Sequence, residues 1–75
     1  MPIATTADLR QIAATVRTLR AERGWRQHEL ADAAQVGLRT VQTVEAGERR
    51  THDSTYGRIA RALDVSLARL LGEEA

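Results

Sequence analysis

The residues best suited to recognition chemistry stand close together: Arg39, Gln42 and Thr43, inside the stretch AQVGLRTVQTVEAGERR. On a helical wheel at about 100° per residue, Arg39, Gln42, Thr43 and Ala46 share one side of a short helix, and Val41 and Val44 share the other. A forked cation, an amide and a methyl-bearing hydroxyl match base edges in a DNA major groove. Arg pairs with guanine O6 and N7, Gln with adenine N6 and N7, and the Thr methyl meets the thymine methyl. Periodicity alone reads the same face as the solvated side of an amphipathic helix.

Other chemistry has little to work with. His28 and His52 head no ligand set in which a helically spaced carboxylate or histidine is joined by a further partner. Ser54 and Ser66 lie in no glycine-rich elbow and have no base patterned to activate them. Cysteine is absent, which removes thiolate nucleophiles, disulfides and cysteine-ligated zinc. The sequence reads as a non-enzyme with no metal and no cofactor.

A chain of 75 residues builds one core and buries roughly 60% of its unfolded surface, so a single domain over 1–75 is expected, with residues 1–7 as a tail and 73–75 as an acidic tail. With 43% hydrophobic and 28% charged residues, it reads as globular. Trp25 and Tyr56 are the only aromatics, so the core must be aliphatic. No apolar run approaches the roughly 18 residues of a membrane span, and the N-terminus lacks the order of a signal peptide. A cytoplasmic protein without membrane contact follows. Net charge is only +1, but Arg10 to Arg50 holds eight arginines against five acids and Thr51 to Ala75 three against four. Every basic residue is Arg, a choice that suits bidentate contacts and that genomic composition bias explains equally well.

Five helices are needed to position these groups. Leu9, Ile12, Ala13, Val16 and Leu19 form an apolar stripe of helical period, with Thr6 or Asp8 as candidate N-cap and an end at Gly24; Arg10, Arg17 and Thr18 lie on its wet side. Leu30, Ala31 and Ala34 mark the buried side of a second helix, and Trp25 before it is expected to staple against the core. Val36 leads into the third helix, about 38–46, which Gly47 closes. Ser54 is the expected N-cap of a fourth, carrying Tyr56, Ile59, Ala60 and Leu63 to an end near Asp64. Ser66 is the expected cap of a last turn or two with Leu67, Leu70 and Leu71, which serve as core or as a strip pairing two copies.

The segment QHELADAAQVGLRTVQTVEAG resembles the helix-turn-helix of the Cro and phage-repressor (lambda-repressor-like) family. Gln27, the Leu30-Ala31 pair, Val36 and the ending Val41, Val44, Glu45, Gly47 fall at matching positions without gaps, and the likeness covers about residues 12–72. It implies an all-α, compact five-helix domain with the helix-turn-helix at the second and third helices. It also implies a sequence-specific transcription regulator, a repressor, bound as a homodimer to double-stranded DNA at an inverted-repeat operator. By the same resemblance, Leu38, Arg39, Gln42 and Thr43 contact bases. Gln27, Arg26, Thr40, Arg49 and Arg50 hold phosphates, and Arg20 pairs with Glu45 as a structural ion pair. This sequence departs from the pattern at Gln35, where a left-handed turn usually has glycine, and at Arg26, where a capping Ser or Thr is usual. Leu38 stands where a polar residue is common and either touches a thymine methyl or packs inward. Asp53, in a loop without the usual proline, stands where an apolar residue is common. The rival reading is a protein-interaction module on the same fold, antitoxin-like or regulator-binding, with a protein partner and with DNA binding secondary or lost.

Overall fold

The computed structural model describes residues 6–73. They form five helices: α1 (Thr6–Glu22), α2 (Gln27–Ala34), α3 (Leu38–Ala46), α4 (Asp53–Ala62) and α5 (Leu67–Leu70). The apolar stripes expected from periodicity are the surfaces that meet. Ile12, Val16, Leu30, Ala31, Ala34, Val41, Val44, Tyr56, Ile59, Ala60, Leu63 and Leu70 form one buried cluster. Helix α1 packs on α3 and α5, α2 on α3 and α4, and α4 on α5. Leu19, Trp25, Leu67 and Leu71 are half-buried and packed against the cluster. Among the described residues no helix is long and apolar enough to cross a membrane.

Four helices stop by one device. A residue in the left-handed region follows the helix at Gly24, Gln35, Asp64 and Gly72, and the next N–H reaches back to a carbonyl in the last turn. These bonds are Trp25 to Arg20 (3.2 Å), Val36 to Ala31 (3.0 Å), Val65 to Ala60 (3.0 Å) and Glu73 to Ala68 (2.8 Å), and they satisfy carbonyls a helix end leaves orphaned. Gln35 keeps the left-handed geometry, φ 58°, at a steric cost of roughly 1–2 kcal/mol for a residue with a Cβ. Helix α3 ends at Gly47, φ 65°. A Cβ there would stand 3.1 Å from the Ala13 Cβ and the Leu9 carbonyl oxygen and 3.2 Å from the Arg10 Cα. Glycine at this point is what lets the end of α3 close onto α1.

Three expectations about element ends need correction. Helix α1 already includes Thr6, so a tail over 1–7 is too long; residues 1–5, and with them the position before α1, lie outside the described residues. Glu73, assigned to the acidic tail, closes α5 through its backbone. Ser54 is not the N-cap of α4: His52 holds that place without a side-chain cap bond. The helix starts two residues earlier because the Thr55 and Tyr56 N–H groups both find the His52 carbonyl, at 3.0 and 3.2 Å, and Asp53 then places its charge in the first turn, where the helix dipole favours it. Ser66 does cap α5, accepting from the Arg69 N–H at 3.0 Å.

Candidate nucleic-acid interface

Helix α3 buries Val41, Val44 and Glu45, and this fixes what it shows outside. Arg39, Gln42 and Ala46 are exposed and Thr43 is half-buried. With Glu48 and Arg49 they line an open concavity of about 420 Å³. Among the described residues the Arg39 guanidinium has no hydrogen-bond or ion-pair partner. Leu38 is 43% exposed, the one large hydrophobic side chain so placed among the described residues, so it does not pack inward. Sequence reasoning missed Glu48, which brings an acid to this face; its place directly after the Gly47 stop was the available signal.

The helix is held from beneath by a buried carboxylate. Arg20 on α1 meets Glu45 in a fork, Nε to Oε2 at 2.6 Å and Nη2 to Oε1 at 3.0 Å, the bidentate geometry guanidinium allows. Arg20 also donates through Nη1 to the Trp25 carbonyl at 2.8 Å, and Arg17 donates to the Glu45 carbonyl at 2.6 Å. The hydrogen bond to Glu45 raises the Arg20 pKa above its ordinary value, burial opposes this, and the Glu45 charge adds to the rise. Gln27 joins the group, its Nε2 donating to Glu45 Oε1 at 3.0 Å. α1, the start of α2 and the end of α3 therefore share one polar knot.

Two flanks complete the surface. At the start of α2, Arg26 stands at the cap position without a side-chain cap bond, since guanidinium has no acceptor. Its backbone N–H donates instead to Glu29 Oε1 at 2.7 Å, the half of a capping box that a residue three positions on can supply alone. Sequence reasoning saw the missing cap and overlooked Glu29. On the other flank, Thr40, Arg49, Arg50, Thr51, His52 and Thr55 line a second concavity of about 460 Å³. Arg50 is tethered there to Asp53 at 2.8 Å and lies over the Tyr56 ring, 5.4 Å from its centroid. Thr51 Oγ1 is buried in that wall and has no hydrogen-bond partner.

Several other arginines are bonded to backbone carbonyls. Arg23 donates to the Leu63 carbonyl at 2.9 Å and lies 5.3 Å over the Trp25 ring; Arg58 donates to the Gln35 carbonyl at 3.3 Å. With Arg17, they serve helix ends as fixed cations where carbonyls are unpaired. The structure thus brings Leu38, Arg39, Thr40, Gln42 and Thr43 onto one helix, Arg49 and Arg50 beside it, and Gln27 and Arg26 at the start of α2. Arg20 and Glu45 lie behind them. Among the described residues no group of three or more His, Cys, Asp or Glu side chains is placed to hold a metal ion.

Helices α2 and α3, joined through the left-handed turn at Gln35 and locked by the Glu45 knot, define a helix-turn-helix unit. The helix-turn-helix family model matches residues 16–70, and the chain belongs to that family, of the Cro and phage-repressor type. It is also similar to a solved structure described as a hypothetical transcription factor, NHTF, from Neisseria, with 30% identity and a TM-score of 0.77 over 95% of this chain and 83% of that one. Comparison with curated proteins gives no match.

Proposed function

We propose that this chain is a sequence-specific double-stranded DNA-binding transcription regulator that reads the major groove with α3 and acts as a repressor by covering a promoter. The observation that carries the reading is the outer face of α3, where an unpartnered Arg39 stands with Gln42 and Thr43 over an open concavity. In this reading Leu38, Arg39, Gln42 and Thr43 meet base edges, while Gln27, Arg26, Thr40, Arg49 and Arg50 fix the duplex through its phosphates. Gln27 has two amide protons; Glu45 takes one and a phosphate takes the other, at a helix start that already favours anions. The buried Thr51 hydroxyl gains a partner when a phosphate enters the neighbouring concavity. Binding as a homodimer places two α3 helices about one helical turn apart, 34–36 Å, on an inverted repeat.

The test is selection of bound duplexes from a random pool at about 0.15 M salt, followed by sequencing. Enrichment of an inverted repeat is the expected result. Retention of DNA without enrichment reduces the interface to charge attraction, and no retention overturns the reading in favour of a protein-interaction module.

A further inference from the structure

Leu38 is an unusual residue to leave in water at the leading end of a helix whose other large exposed side chains are polar. It is the first residue of α3 and sits beside Arg39, whose guanidinium is uncommitted. Just before it, Gly37 has φ −71° and ψ 153°, extended backbone open to any residue. A Cβ at Gly37 would meet nothing closer than Thr40 Oγ1 at 3.9 Å. Neither the backbone nor the packing of the chain calls for glycine here. A Ser, Thr or Asn would supply the cap hydrogen bond that α3 lacks. Glycine at 37 leaves the position next to Leu38 without a side chain.

Resting on the DNA-reading assignment of α3, we propose that Gly37 and Leu38 form a methyl-reading edge that recognises the C5 methyl of a pyrimidine on the base pair next to the guanine read by Arg39. In the major groove an apolar side chain discriminates thymine through that methyl. 5-Methylcytosine carries the same group at the same ring position. The edge therefore makes binding sensitive to cytosine methylation as well as to thymine, with methylation at that position strengthening the complex. Burying one methyl is worth about 0.8 kcal/mol, which at 1.4 kcal/mol per tenfold is about fourfold in affinity per half-site.

The experiment takes a selected duplex and replaces each thymine in turn by uracil, then compares cytosine with 5-methylcytosine at the sensitive position, reading affinity by fluorescence anisotropy. One position should lose about fourfold on going to uracil and show the same factor in favour of 5-methylcytosine over cytosine. In Leu38→Ala, confirmed folded by circular dichroism, both factors should fall to one while the guanine preference remains. Equal affinity for uracil and thymine at every position overturns the methyl-reading edge and leaves the DNA reading standing, as does a methyl effect that survives in Leu38→Ala. Failure to select any duplex overturns both.

Discussion

The Glu45 side chain is only 3% exposed, and a buried carboxylate stripped of its partner is costly, about 3–5 kcal/mol for a broken buried pair. Arg20→Glu would also set a second acid against it, so this variant is expected to lose cooperative thermal unfolding altogether. A folded Arg20→Glu that merely fails to bind DNA would refute the structural role of the pair. The sign of its pH dependence follows from the raised Arg20 pKa. A group held above its unfolded value stabilises fully below that value and is lost only as pH rises past it. For a guanidinium both limits lie beyond the working range, so this cation's contribution should hold the melting temperature level from about pH 7 to pH 10. Arg39 is the opposite case, a cation with no internal duty. Arg39→Ala should leave the melting temperature unchanged, cost about 1–3 kcal/mol on the selected site and relax one base position; equal loss on all sequences would make it a phosphate contact. At this scale the polarity of α3 was legible because a two-valine stripe leaves only one side to bury. The Glu45 knot was legible only in part, since Gln27 and Arg17 join it from other helices and no local spacing announces them.

Helix ends give the sharpest contrast at the scale of elements. Gln35 and Gly47 have nearly the same left-handed backbone, φ 58° and 65°, yet they answer opposite constraints. Gln35 is exposed and its side chain has no described partner, so Gln35→Gly removes a Cβ strain of roughly 1–2 kcal/mol against an entropy cost of roughly 0.5–1 kcal/mol. A rise of a few degrees in melting temperature is expected. Gly47→Ala adds the same strain and drives a Cβ into α1 backbone that cannot rotate aside, so a loss of about 2–4 kcal/mol is expected from strain and overpacking together. Thermal melts of the two variants decide the matter, and shifts of the same sign would contradict it. Helix existence and buried faces were readable because period and packing agree at Leu30, Ala31, Tyr56 and Ile59. The start of α4 was not, because backbone bonding to His52 outcompeted the better capping side chain of Ser54. The left-handed stop at Asp64 was hinted at only by the tolerance of Asp for that region.

Across the whole molecule, the arginine excess of the first two thirds of the chain overstates the charge that DNA can feel. Arg17, Arg20 and Arg23 are spent on carbonyls and on Glu45, and their yield is stability. The cations proposed for phosphates are Arg26, Arg49 and Arg50, and the Arg50–Asp53 pair is exposed, worth about 0–1 kcal/mol and so easily surrendered to a phosphate. Three neutralised phosphates release counterions with a slope of log K against log salt of about −2.7 per chain, whereas counting the three structural arginines as well would double it. A binding titration between about 0.05 and 0.2 M salt separates the two. Arg49→Ala should reduce the slope by about 0.9 and leave the melting temperature unchanged. Arg17→Ala, which removes the 2.6 Å bond to the Glu45 carbonyl, should cost about 1 kcal/mol of stability and leave the slope as it was. If Arg17→Ala flattens the salt dependence instead, α1 lies against the duplex, and the interface extends from α3 onto the helix that here supports it.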